Sequence, residues 1–195
     1  MSTGRAGVFL DRDGTLNEEV DFVRHPEELR LLPGAGEAVR RLNGARLPVC
    51  VVSNQSGVAR GYLTEEDLVP IHARLAAGIG ASGGHLDRIY YCPHHPREGL
   101  PPYNVECACR KPGFGMLLRG AGELDLDLKR SFMVGDGLVD MQAGNAAGTA
   151  CILVLTGYGR QSRPECAAQG LRLDCVAESI TEAVDFILRR TEGET

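Results

Sequence analysis

The chain has 195 residues, 43% of them hydrophobic and 24% charged, with 5% aromatic and no tryptophan. That is the mixture of a soluble globular protein, and one domain over residues 1–195 is expected. Twenty-one Lys and Arg against 26 Asp and Glu leave a formal charge of −5, which argues against nucleic-acid binding through a broad basic surface.

No stretch approaches roughly 18 apolar residues, so no membrane span is expected. Residues 1–7 lack the apolar centre of a signal peptide. Of seven cysteines, Cys92, Cys107 and Cys109 fall in one short stretch with His94 and His95. Cys50, Cys151, Cys166 and Cys175 are scattered. An odd, uneven set of this kind points to a reducing compartment, the cytoplasm, with a metal cluster and four structural thiols.

Short apolar runs bounded by turn residues recur along the chain. Residues 7–10 are the first, followed by 48–52, 88–91, 131–134, 151–155 and a weaker 173–176. Their length and continuous apolarity suit buried parallel strands. Helical patterns alternate with them. Residues 34–42 place Ala35, Ala38, Val39 and Leu42 on one stripe. Residues 64–79 open with the cap-like Thr64-Glu65-Glu66-Asp67 and carry Leu68, Ile71, Leu75 and Ile79. Further helices are predicted over 115–122, 140–147 and 180–190. The alternation predicts an α/β fold with right-handed crossovers, whose ligand lies at the carboxyl ends of the strands. Segments 17–32 and 92–113 break the pattern, and both are candidate functional loops.

The strand ends carry unusual residues. After the first run come Asp11 and Asp13 in Asp11-Arg12-Asp13-Gly14-Thr15. Two carboxylates this close raise each other's pKa unless a cation intervenes, and Mg2+ suits oxygen ligands. The second run leads into Ser53, Asn54 and Gln55, a hydroxyl and two amides at the rim. The fourth leads into Gly135-Asp136-Gly137-Leu138-Val139-Asp140, and Lys111 supplies a fixed positive charge before a helix. Taken singly, each is an ordinary turn, cap or surface residue. Together, after successive parallel strands, they suit metal-assisted phosphoryl transfer.

These four motifs, in this order, resemble those of haloacid-dehalogenase (HAD) superfamily phosphatases. The resemblance implies a three-layer, doubly wound Rossmannoid sheet, and the short spacers leave no room for a large cap domain. It implies that Asp11 attacks phosphorus, Asp13 serves as acid and then base, Ser53 binds the phosphoryl group, and Lys111 neutralises it. Mg2+ would rest on Asp11, the Asp13 carbonyl and Asp136, with Asp140 in support.

The segment Cys92-Pro93-His94-His95-Pro96 followed by Cys107-Ala108-Cys109-Arg110-Lys111-Pro112 offers three thiolates and an imidazole. Two short chelating pairs predict a closed, structural zinc site in a loop at about 92–109, with Cys92, His94, Cys107 and Cys109 as ligands and His95 as the competing nitrogen. The loop, together with Ser53-Asn54-Gln55-Ser56-Gly57-Val58-Ala59-Arg60-Gly61, resembles the zinc-containing branch that holds heptose 1,7-bisphosphate 7-phosphatases and histidinol phosphatases. The heptose enzymes are the better match. That resemblance adds substrate contacts at Glu19, Asp21, Phe22, Asn54, Gln55, Arg60 and Arg110. It departs at Gly137, where the heptose enzymes often carry lysine, and at Glu18-Glu19-Val20-Asp21-Phe22. The implied function is Mg2+-dependent release of the 7-phosphate of D-glycero-D-manno-heptose 1,7-bisphosphate, in heptose and lipopolysaccharide biosynthesis, by a monomer whose partner is a small phosphorylated metabolite. Histidinol-phosphate hydrolysis is the alternative, and a noncatalytic zinc-stabilised binding module is the alternative of another class.

Overall fold

The computed structural model describes residues 4–193; residues 1–3 and 194–195, the ends of the domain expected over 1–195 and the start of the stretch read for a leader, lie outside the described residues. Six strands form one parallel sheet: β1 Val8–Leu10, β2 Val49–Asn54, β3 Arg88–Cys92, β4 Phe132–Gly135, β5 Ala150–Val154 and β6 Cys175–Ala177. Their order is β3-β2-β1-β4-β5-β6. The chain therefore winds outward from β1 in one direction and then, from β4, in the other. The crevice at that reversal lies at the carboxyl ends of β1 and β4, where Leu10 pairs with Val134.

Seven helices complete the described fold: α1 Ala35–Gly44, α2 Ser56–Ala59, α3 Glu65–Ala81, α4 Gly115–Leu124, α5 Leu138–Ala147, α6 Gly159–Ala168 and α7 Ile180–Glu192. Side chains alternate across a strand, so β1 feeds two cores. Val8 and Leu10 join Val49, Val51, Val134 and Ile152 against the apolar stripes of α1, α3 and α7. Phe9 points the other way, into Cys50, Val52, Met133 and the Met116–Leu117 pair of α4. Beyond them Cys151 and Leu153 meet Met141 of α5 and Cys166 of α6. The result is three layers. Burying each such side chain contributes about 1.5–3 kcal/mol, and Phe9→Ala is expected to cost roughly 3–5 kcal/mol.

The expected strands and the expected helices are all present, with α3 capped by Thr64, whose hydroxyl accepts from the Asp67 N–H. Helices α2 and α6 were not expected. The buried side of α6 holds only Gly159, Ser162 and Cys166, and Pro164 lies inside it, so it lacks an apolar stripe to read. Segment 17–32 is not a plain loop either. It holds a 3-10 turn at Pro26–Glu28 and an antiparallel bridge between Asn17 and Leu31. No helix among the described residues is long and apolar enough to cross a membrane.

Candidate active site and cysteine cluster

The Asp11 N–H donates to Val134 O at 2.9 Å, which continues the β1–β4 ladder by one residue and sets Asp11 beside the end of β4. The chain then reverses, with Leu16 and Asn17 N–H groups returning to Arg12 O. Gly14 takes φ 73° there, and a Cβ on it would fall 2.2 Å from Asp136 Oδ2. Only glycine meets both demands. The turn thus brings the first and fourth motifs into contact.

Lys111 is 2% exposed and carries the one ammonium among these groups. Its Nζ lies 2.7 Å from Asp11 Oδ1, 2.6 Å from Asp140 Oδ1 and 2.7 Å from Val52 O. Burial opposes its charge, but Asp11 and Asp140 outweigh burial and hold its pKa well above the usual lysine range. Asp140 also accepts from the Gly137 N–H at 2.9 Å, which caps α5. Asp136, 2% exposed, accepts from the Tyr158 N–H at 2.7 Å.

One oxygen each of Asp11, Asp136 and Asp140 lie within 4.8 Å of one another. Three carboxylates share one ammonium, and the deficit shows in the raised pKa values of Asp11 and Asp136. Burial, then Asp140, pushes Asp11 up to about 7 despite Lys111. Burial, then Asp11 and Asp140, pushes Asp136 up to about 8. A crowded, buried set of hard oxygen donors short of positive charge fits Mg2+.

Asp13 lies just outside this cage and is held on several sides. Arg12, 1% exposed, reaches both carboxylate oxygens at 2.8–3.1 Å. Asn17 Nδ2 donates to it at 2.9 Å and Gln55 Nε2 at 3.1 Å. Gln55 also donates to the Ser53 hydroxyl at 2.7 Å. Asn54, expected at the substrate rim, has both ends of its amide engaged by the Lys111 backbone, each at 3.0 Å. It seats Lys111.

The cysteine loop closes beside these residues. Cys92, Cys107 and Cys109 Sγ atoms are 3.0–3.4 Å apart, too far for a disulfide. His94 Nδ1 completes the set, 3.6 Å from Cys92 and 3.7 Å from Cys109. Four-coordinate zinc with Zn–S near ~2.3 Å would hold its sulfurs roughly 3.8 Å apart, so the soft donor set fits Zn2+ after a small expansion. His95, the competing nitrogen, accepts instead from the Glu98 N–H at 3.0 Å. Arg110, next in chain, donates to His94 O at 3.0 Å, so the cluster and the phosphate end of the site share one segment.

The outer wall comes from 18–22 and α2. Glu19 accepts from the Asp21 N–H at 2.6 Å, and burial, then Asp13, raises its pKa. Phe22 and Tyr62 pack edge to face at 4.9 Å, with Arg60 over Phe22 and paired to Glu98. The sequence reading missed Arg12 and Asn17, and it missed the turn after β5. There Thr156 Oγ1 donates to Gly14 O at 2.6 Å and Tyr158 holds Asp136. The strand-end rule applied to β5 would have singled out Leu155-Thr156-Gly157-Tyr158.

Comparison with known proteins converges on one group. The HAD-hydrolase-like family matches residues 108–183. The D-glycero-D-manno-heptose-1,7-bisphosphate 7-phosphatase of Thermosynechococcus vestitus is 43% identical over 187 residues, 94% of this chain and 95% of that protein. The D-glycero-beta-D-manno-heptose-1,7-bisphosphate 7-phosphatase of Escherichia coli K12 is 39% identical, covering 86% of this chain and 88% of its own. A crystal structure of the D,D-heptose 1,7-bisphosphate phosphatase of B. bronchiseptica, complexed with magnesium and phosphate, superposes with a TM-score of 0.84 at 38% identity, over 95% of this chain and 99% of that one.

Proposed function

The chain belongs to the D-glycero-D-manno-heptose-1,7-bisphosphate 7-phosphatase family of HAD phosphatases, and from that premise we propose that it removes the 7-phosphate of heptose 1,7-bisphosphate and leaves the 1-phosphate in place. The observation that carries this reading is the meeting of Asp11, Lys111, Asp136 and Asp140 at the crevice between β1 and β4.

Asp11 is the nucleophile. Its free oxygen attacks phosphorus, the bond to the sugar O7 breaks, and an aspartyl-phosphate forms. Asp13, at the mouth of the cage, gives the leaving oxygen its proton. It then takes a proton from the water that attacks the aspartyl-phosphate, which frees inorganic phosphate and restores Asp11. Lys111 and the Ser53 hydroxyl bind the oxygens of the transferring group. Asp11, Asp136 and the Asp13 carbonyl would hold Mg2+, which when bound supplies the positive charge these carboxylates lack.

Zn2+ on Cys92, His94, Cys107 and Cys109 would be structural, since four protein ligands leave no open position. Its place is to fix the segment that carries Arg110 and Lys111. The partner is a small phosphorylated sugar, and the expected form is a cytoplasmic monomer in heptose and lipopolysaccharide biosynthesis. Phosphate release from heptose 1,7-bisphosphate, with histidinol phosphate in parallel, tests the assignment. Preference for histidinol phosphate would move the substrate and leave the mechanism standing, because Glu18, Glu19 and Asp21 offer that amine an acidic wall. No release from either would favour a binding module.

A further inference from the structure

The turn after β5 has no part in the mechanism above, yet it packs against the most crowded point of the site. Thr156 reaches the Gly14 carbonyl at 2.6 Å. Gly157 sits at φ 48°, and a Cβ on it would lie 2.1 Å from Asp136 Oδ2 and 2.7 Å from Gly14 Cα. Tyr158 follows at the N-terminus of α6, with two contacts in opposite directions. Its N–H donates to Asp136 Oδ2 at 2.7 Å. Its ring, 46% exposed, reaches outward, and its hydroxyl donates to Asp21 Oδ1 at 3.1 Å.

Both contacts act on groups with little freedom of their own. Asp136 is buried, and fixing Oδ2 leaves Oδ1, which lies 3.5 Å from the Thr15 hydroxyl. Asp21 takes φ 61°, an uncommon conformation for a residue other than glycine, and needs support from its surroundings. Between the two ends lies a cavity of about 420 Å3 lined by Glu18, Glu19, Asp21, Gly157 and Tyr158. Carboxylates there suit the hydroxyls of a sugar.

We propose that Tyr158 is a positioning residue that joins the metal-binding carboxylates to the sugar-facing wall: its backbone N–H orients Asp136 and its hydroxyl holds Asp21. The inference rests on the function proposed above, and its two halves are separable by substitution. Tyr158→Phe removes the hydroxyl alone. Tyr158→Ala removes the ring and keeps the N–H. Tyr158→Pro removes both, and proline is tolerated at the first turn of a helix.

Two readouts test it. Mn2+ is titrated into Mg2+-free protein and followed by electron paramagnetic resonance. Tyr158→Ala is expected to bind Mn2+ as the wild type does, and Tyr158→Pro at least tenfold more weakly. Equal affinity in the two would overturn the Asp136 half. If Tyr158→Pro does not fold, an amide-to-ester replacement at residue 158, which removes the N–H and keeps the side chain, tests the same contact, and Mn2+ affinity equal to that of the wild type would overturn it. The second readout is steady-state kinetics of Tyr158→Phe. KM for heptose 1,7-bisphosphate is expected to rise roughly three- to tenfold, the worth of one part-exposed hydrogen bond. Its kcat, and its KM for p-nitrophenyl phosphate, which offers that wall no hydroxyls, are expected to stay unchanged. An unchanged sugar KM, or an equal rise for both substrates, would overturn the Asp21 half. Wild-type protein that left heptose 1,7-bisphosphate intact would instead sink the proposed function, and the Mn2+ titrations would still judge the Asp136 contact.

Discussion

The Lys111 ammonium lies 2.7 Å from the Asp11 carboxylate, at the floor of the site and out of contact with bulk water. It bridges to Asp140 on its other side at 2.6 Å. Lys111→Met therefore removes the cation and strands two carboxylates in the interior. Stranding buried charge costs about 3–5 kcal/mol. The expected outcome is a large fall in the urea midpoint together with at least ~100-fold lower phosphate release. Retention of either would refute this pairing.

Asp11→Asn is expected to abolish turnover while keeping the fold, since the change is nearly isosteric. Asp13→Asn is expected to lower turnover by about 10²–10⁴. It also leaves the buried Arg12 guanidinium without the carboxylate it grips at 2.8 Å, so stability falls as well. Hydrolysis of the aspartyl-phosphate slows too, and intact-protein mass spectrometry is expected to show a phosphorylated fraction in Asp13→Asn alone.

Asp11, Lys111 and Asp136 were legible in the sequence because each is a charged residue set just past an apolar run or beside a chelating pair. A fold that buries such residues needs a reason for them. Tyr158 was legible by its place after β5 but not by its role. Its contact with Asp136 uses the backbone N–H, which every residue but proline has, and Thr156-Gly157-Tyr158-Gly159 reads as a plain turn. Asn54 was legible as a strand-end amide, but its structural partner was not. An amide at a strand end suggests a ligand contact, and the structure adds that both ends of this one seat the Lys111 backbone. Helix α6 escaped because Pro164 and small residues replace the apolar stripe that periodicity depends on.

Metal analysis of protein purified without added metal is expected to find about one zinc per chain. The Cys107→Ser/Cys109→Ser protein is expected to lose it. Ordering the loop without metal costs roughly 1 kcal/mol or more per residue in backbone entropy. Chelator treatment is therefore expected to lower both stability and activity, since Arg110 and Lys111 follow Cys109 directly. Native zinc content in the double variant would disprove the ligand set.

His72 predicts a pH effect on stability. Its ring packs on Tyr91 at 5.4 Å, its Nε2 is buried without a partner, and burial, then the Arg12 charge, lowers its pKa to about 4. The unfolded chain titrates this group near the usual ~6.5. Between those values the unfolded state binds the extra proton. The contribution is thus fully favourable above about pH 6.5 and is lost as pH falls toward 4, by at most about 1.4 kcal/mol per pH unit. Urea titrations of wild type and His72→Leu are expected to run parallel above about pH 6.5 and to diverge between there and pH 4, with the variant gaining. Parallel curves down to pH 4 would refute a neutral His72.

Substrate choice is expected to turn on which arginine is free for a second phosphate. Arg60 is already paired with Glu98. Arg110 has one guanidinium nitrogen on the His94 carbonyl at 3.0 Å, and no carboxylate pairs with it among the described residues. Burial, set against the nearby thiols, lowers its pKa, yet arginine keeps its charge at any working pH. Its planar fork can offer a phosphate two parallel donors. Arg110→Ala is expected to reduce kcat/KM for heptose 1,7-bisphosphate about tenfold to a hundredfold, the worth of one charge-assisted contact. Heptose 7-phosphate, which lacks the second phosphate, is expected to suffer much less. If Arg110 serves only to brace the zinc loop, both substrates lose equally. Glu98→Gln offers the complementary measurement, since releasing Arg60 is expected to strengthen binding of the bisphosphate and leave the monophosphate unchanged.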